Sequence, residues 1–199
     1  MINKLSILLL FFCCMNIHSQ IFEGIFTYSI NYESKSSNIT SDQLNSLMGT
    51  KQWYAIKGGN YKSVFNGDFI KLQIYRNDEN RNYNLTAKSD TLYYEDYSKN
   101  KDKALSYEIK KNQDTIMGIP CDLIIVKTEK SKISYYFNSS YKVNPELFKG
   151  HNYGNWYYIV SKTKALPLKT VTETEQFIMT SIATEVKPMQ LKDNVFEIQ

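Results

Sequence analysis

Hydrophobic and polar residues alternate from the first residues after the apolar N-terminal run. In Phe22 to Glu33, Phe22, Phe26, Tyr28, Ile30 and Tyr32 fall on one face, and Glu23, Thr27, Ser29 and Asn31 on the other. A period of two over this length predicts a long strand with one buried face. Thr40 to Met48 changes period. Leu44, Leu47 and Met48 form a helical stripe, Thr40 or Ser41 can cap the first free N–H groups, and Gly49 ends it.

Alternation then returns in short pieces. Gln52–Lys57 and Tyr61–Phe65 flank Gly58-Gly59-Asn60, a hairpin signature because glycine takes positive φ freely. Phe69–Arg76 follows, with Ile70, Leu72 and Ile74 expected to point inward. Tyr83–Ala87, Thr91–Tyr97 and the Leu105, Tyr107, Ile109 alternation continue the pattern. Asp114 to Pro120 reads as a break. Cys121–Lys127 is the most continuously apolar strand after the N-terminal run, and Ile133, Tyr135 and Phe137 share a face. Leu166–Glu175 and Phe177–Lys187 read as a final hairpin, and Met189–Gln199 offers Leu191, Val195, Phe196 and Ile198 for docking. Roughly nine to eleven strands with few helices predict a mainly β fold, a meandering antiparallel sheet that curls.

One stretch interrupts the strands. Tyr141 to Lys169 holds two of the four prolines, Pro145 and Pro167, with His151 and one of the two tryptophans, Trp156. Asn144 and Pro145 suit the cap and first position of a short helix, Gly150 and Gly154 let the chain reverse, and Trp156 to Val160 supplies bulk. The segment is expected to lie across the open side of the sheet, with Trp156 anchoring it. Lys162, Lys164 and Lys169 would form a basic rim.

The N-terminus changes where the chain belongs. Lys4 precedes an apolar run, Leu5 to Met15, that is too short for a bilayer span, which needs roughly twenty residues. Residues 1–19 read as a signal peptide cleaved before Gln20, so residues 20–199 would form one exported domain, periplasmic or extracellular, that could associate with the outer membrane and contains no transmembrane segment. Lipidation at Cys13 or Cys14 is disfavoured by the bulky Phe11 and Phe12 before them. Cleavage leaves Cys121 as the one cysteine and His151 as the one histidine. Hydrophobic burial, with no internal disulfide, must then hold the fold, and a His/Cys zinc site lacks ligands. The net charge of +4 is spread in mixed sign, which does not favour nucleic acid.

The order of motifs is that of a known type. Phe22-Glu23-Gly24 opens a long strand; Lys57-Gly58 turns a hairpin; Gly118-x-x-Cys121 steps into an apolar strand. Tyr141-x-Val143-Asn144-Pro145, Tyr153-Gly154-Asn155-Trp156 and Lys164-Ala165-Leu166-Pro167-Leu168-Lys169 follow, then Ala183-Thr184-Glu185-Val186. This resembles a family of uncharacterised secreted proteins of Gram-negative bacteria, distantly similar to the lipoprotein-carrier fold of LolA, LolB and RseB. The resemblance implies a strongly curved, unclosed half-barrel, with short helices or a lid over its concave face and an apolar cavity for acyl chains. No motif here matches the carriers' functional residues, so none is transferred.

Candidate chemistry is sparse. Cys121 and His151 are the one nucleophile–base pair the composition permits. Cys121 opens an apolar strand and reads as a core thiol, and His151 as a surface or loop-packing residue. Glu95 and Asp96 are adjacent on a strand and point to opposite faces, so they cannot flank one cleft. No phosphate loop, nucleophile elbow or zinc-protease helix motif is present, and neither cofactor, metal nor catalysis is expected. Aromatic residues make up 14% of the chain, with sixteen tyrosines. Tyrosine suits half-buried strand positions, and it also lines ligand cavities. The expected ligand-binding residues are Trp156, Tyr157, Tyr135, Phe137, Phe148 and Trp53. The expected partner is a lipid or acylated protein. The alternative is a cell-envelope protein docked on a module whose core is filled by its own side chains.

Overall fold

The computed structural model describes residues 21–198; the expected signal peptide and its cleavage site lie outside that range. Eleven strands form one antiparallel sheet: β1 (Gly24–Ser34), β2 (Lys51–Lys57), β3 (Asn60–Phe65), β4 (Ile70–Arg76), β5 (Arg81–Thr86), β6 (Tyr93–Asp96), β7 (Ala104–Ile116), β8 (Ile119–Thr128), β9 (Lys132–Lys142), β10 (Ala165–Glu173) and β11 (Phe177–Pro188). The order across the sheet is 6-5-4-3-2-1-11-10-9-8-7. Neighbours in the sheet are neighbours in sequence except at one seam, where β1 pairs with β11 from Gly24–Pro188 to Ser34–Phe177. The sheet is not closed, as the resemblance implies.

Connectivity requires the sheet to curl. β6 and β7 are its two edges, and only residues 97–103 join them. Laid flat, inter-strand steps of ~4.8 Å would put those edges ~48 Å apart. The connecting residues span at most about 28 Å when extended. The two edges must therefore bend toward each other, which makes a trough with residues 97–103 strapped across it.

The inner face carries the predicted row of β1: Phe26, Tyr28, Ile30 and Tyr32 are all buried. Gly24 begins it because a side chain there would meet the Lys187 carbonyl oxygen of β11 at 2.2 Å. Helix α1 (Ser41–Met48) is capped as expected. Thr40 Oγ1 accepts from the Gln43 N–H at 3.1 Å, and the Gln43 side chain accepts from the Thr40 N–H at 2.8 Å. Leu44 is buried against β1, but Leu47 faces solvent.

In β4 the expected inward face holds at Ile70, which lines the trough, but is reversed at Leu72 and Ile74, beyond a register shift between Ile70 and Leu72. Ile74 pairs with Lys62 and Leu72 with Val64, whereas Tyr75 pairs with Tyr61 and Gln73 with Ser63. Tyr61, Ser63 and Gln73 line the trough, so Leu72 and Ile74 point outward. The register of the hairpin, not the hydrophobicity of β4 alone, sets the face. Ile74 is buried nonetheless, because the C-terminal 3₁₀ turn Asp193–Phe196 lies against β3 and β4. Lys57 Nζ holds that tail through Asp193 at 2.7 Å and the Leu191 carbonyl at 2.8 Å. Leu191 and Phe196 dock as expected; Ile198 stays exposed.

The expected break at Asp114–Pro120 is a tight hairpin instead. β7 runs on to Ile116, and Met117 and Gly118, both at positive φ, make the two-residue turn into β8. That pair of left-handed residues matches the twist of antiparallel strands. The sequence signal was weak because Met117, not glycine or asparagine, takes the first position.

Candidate functional site

The segment between β9 and β10 crosses the trough. Asn144 caps the 3₁₀ turn Pro145–Phe148, its Oδ1 accepting from the Glu146 N–H at 3.2 Å. Gly154 and Asn155 are both left-handed, with φ of 60° and 58°, and reverse the chain into helix α2 (Trp156–Thr163). The helix points Val160 into one hydrophobic cluster, with Phe26, Tyr54, Phe148 and Leu168, and Ile159 into another, with Ile124, Val126 and Tyr135. The crosspiece thus joins two halves of the core.

It is also laced to the strap of residues 97–103. Asn155 is buried: its Oδ1 accepts from Asn100 Nδ2 at 2.8 Å and from the Ala104 N–H at 3.0 Å, while its Nδ2 donates to the Asp102 carbonyl at 2.8 Å. The backbone N–H groups of Asn152 and Tyr153 donate to the Tyr97 carbonyl at 2.8 and 3.1 Å. Asn80 Nδ2 reaches the Gly150 carbonyl at 2.9 Å. These bonds make the crosspiece a beam tied across the trough, with space left on either side of it.

Two cavities of ≈ 730 and ≈ 490 Å³ occupy that space, and Gly154, Trp156, Pro167 and Thr170 line both. The Trp156 indole stands at their junction. Its neighbours are Phe148, His151, Tyr61 and Tyr135, with ring centres 5.9 to 6.3 Å away. The larger cavity has a charged rim of Asp102, Glu129, Lys130 and Glu175 around Ile133, Tyr135, Ile159 and Phe177. Burial pushes the Asp102 carboxyl up, but hydrogen bonds from Ser131, Thr128 and the Lys130 N–H outweigh it and hold the group below its ordinary range. The smaller cavity has no Asp, Glu, Lys or Arg among its described lining residues; tyrosines, Met48, Phe65, Ile70 and Met179 dominate it.

His151 is buried, 3% exposed, which favours loop packing over the surface alternative. Tyr75 and Tyr97 lie 4.6 and 4.7 Å from its ring centre, and its Nε2 shares a 2.8 Å hydrogen bond with the Tyr61 hydroxyl. Burial pulls its pKa down to about 3, so the ring is neutral at physiological pH. Cys121 is fully buried, its Sγ donating to the Ile119 carbonyl at 3.4 Å, and burial pushes its thiol up. No hydrogen bond joins Cys121 to His151. Both shifts run opposite to those that would make a thiolate beside a working base.

The predicted ligand residues do not all meet. Trp156 lines both cavities and Tyr135 the larger one. Phe148 lies beneath Trp156, and Phe137 is buried in the second cluster. Tyr157 is half-buried and lines neither cavity. Trp53 is 39% exposed under the ammonium of Lys51; it pairs with Val64 on the outer face. Its neighbour Tyr54 is the one that points inward. Sequence reasoning passed over Tyr54, Tyr61, Tyr97 and His151. The signal available was the alternation of β2 and β3 once the Gly58-Gly59 turn fixed their register.

No protein-family model and no curated protein matches the sequence. Among solved structures, the chain is similar to PNGF-II in two crystal forms, at 13% and 15% identity with TM-scores of 0.46 and 0.41. It covers 87% and 85% of this chain but 29% of PNGF-II in each case, so this chain spans under a third of that protein's length. It is also similar to a LolA superfamily protein from Nitrosomonas europaea, at 9% identity and a TM-score of 0.41, over 89% of this chain and 90% of that one.

Proposed function

We propose that the protein is an exported binding module that holds a hydrophobic chain, of a lipid or an acylated partner, in the trough beside the crosspiece. The observation that carries this reading is the pair of apolar-walled cavities meeting at Trp156. Their volumes, ≈ 730 and ≈ 490 Å³, fall within the roughly 300–1,000 Å³ typical of small-molecule sites. The beam-like crosspiece supports a preformed cavity entered from its flanks. In this reading residues 1–19 direct export and residues 20–199 act as one unit.

The test is fluorescence in a Trp53→Phe background, where Trp156 is the only indole. Titration with an acyl-chain probe should quench or blue-shift Trp156 emission saturably, and a native mass spectrum should retain a co-purifying lipid. Unchanged emission together with a bare protein mass would reject the cavity as a site.

A second reading rests on β7. Its outer edge is unpaired, and Leu105, Tyr107 and Ile109 stand 66%, 48% and 40% exposed along it. Unpaired edges of this kind are templates for strand addition. Under this reading the protein docks a cell-envelope partner and its cavities carry no ligand.

A further inference from the structure

Three buried side-chain polar atoms without a protein partner belong to residues that line one cavity: the Tyr54 hydroxyl, His151 Nδ1 and Trp156 Nε1. Tyr54 and His151 are 7% and 3% exposed. All three rings gather around Tyr61, at centre distances of 5.3, 5.9 and 6.3 Å for Tyr54, His151 and Trp156. Buried polar groups are normally paired, and an unmet one costs about 1–3 kcal/mol. Among the described residues one more such atom, Asn82 Oδ1, lies elsewhere; the other three share one cavity lining, which marks that place as built for something else.

The chemistry of that place is specific. Trp156 Nε1–H can only donate, and the Tyr54 hydroxyl is free to donate. Residues that line the cavity therefore carry unmet donors suited to an acceptor. Its described lining holds no charged side chain, and His151 is neutral because burial holds its pKa near 3. A carboxylate or phosphate would be stripped of water there with no counter-charge, which is strongly unfavourable. An uncharged carbonyl meets the donors without that cost.

We infer that the smaller cavity is a recognition site for the uncharged ester or amide carbonyl of an acyl group, read by Trp156 Nε1 and the Tyr54 hydroxyl beside His151. This rests on the acyl-chain reading above and deepens it: the ligand is an esterified or amide-linked chain, not a free fatty acid. The three atoms are covered in the arrangement described here. Rotation of the half-buried indole is the movement that would turn Trp156 Nε1 to a ligand.

The experiment is competition against a bound fluorescent acyl probe at pH 8, with three competitors of equal chain length: hexadecane, methyl palmitate and palmitate. Methyl palmitate should displace the probe at a concentration at least about tenfold below either of the others, the equivalent of one buried hydrogen bond. Tyr54→Phe and Trp156→Phe should each shrink that preference, read as the ratio of methyl palmitate to hexadecane displacement within the same variant, to about threefold or less. Tyr54→Phe removes only a hydroxyl with no partner, so it should fold with equal or greater stability. That separates recognition from a structural role. Equal displacement by methyl palmitate and hexadecane, or strongest displacement by palmitate, would overturn the carbonyl site and leave the acyl cavity standing. No displacement by any of the three would overturn both.

Discussion

Acidification should loosen this fold through one residue. His151 is the only histidine among the described residues, and burial holds its pKa at about 3 in the folded chain. In the unfolded chain it returns to ~6.5. Between those values the unfolded chain binds a proton that the folded chain refuses, so stability rises with pH across this window. It is complete above about pH 7 and falls as the pH drops below about 6.5. Linkage puts the loss between pH 7 and pH 5 at roughly 2 kcal/mol, a large share of the usual 5–15 kcal/mol. The carboxyls with displaced pKa values, Asp102, Asp114 and Asp122 among them, are displaced downward, so their own losses come at lower pH. Urea unfolding followed by Trp156 emission in the Trp53→Phe background should show a midpoint that falls steadily from pH 7 to pH 5 at constant slope. His151→Gln keeps an acceptor for the Tyr61 hydroxyl but cannot take a proton, so its midpoint should be flat over the same range. A flat wild-type profile, or an equal fall in the Gln variant, would refute the buried neutral histidine.

Other substitutions probe the beam and its anchors. Asn155→Ala removes three buried hydrogen bonds that tie α2 to residues 97–104 and should cost about 3 kcal/mol, read as a lower urea midpoint. Trp156→Ala should cost about 3 kcal/mol, the low end for truncating a core tryptophan because the indole is half-buried; a midpoint within about 0.5 kcal/mol of wild type would show that the indole supports nothing. Cys121→Ser should cost about 1 kcal/mol, since the hydroxyl can donate to the same Ile119 carbonyl, and the native thiol should resist a disulfide reagent at pH 8 until the protein is unfolded; rapid labelling of folded protein would contradict its burial.

The strands were legible in the sequence because alternation survives in nearly all of them, and the Thr40 and Asn144 caps because their side chains act within three residues. Helix α2 was not. Trp156-Tyr157-Tyr158-Ile159-Val160 has the aromatic and β-branched character of a strand, and Asn155 makes no side-chain cap. The helix forms because its inward residues join both halves of the core, a tertiary effect that no local pattern encodes. Trp53 and Tyr54 show the same limit. Adjacent aromatics on a strand take opposite faces, and only the pairing with β3 says that Tyr54 is the inner one. The polar cluster at Tyr54, His151 and Trp156 joins residues from β2 and from the crosspiece, a juxtaposition visible only once the trough is folded.

The seam between β1 and β11 has a temporal consequence. The first strand of this sheet is central in it, and one of its two neighbours is the sheet's last strand. Residues 35–176 separate them, and at ~5–20 residues per second they take roughly 7–30 s to appear. During that interval the hairpins from β2 onward can pair one after another, but β1 keeps an open edge beside Phe26, Tyr28, Ile30 and Tyr32. The nascent chain therefore carries β1 half-finished until β11 has been made. Completion of the sheet is an event of the whole chain, and a truncation that removes only β11 would leave two unfinished meanders, each with a buried-type edge in water.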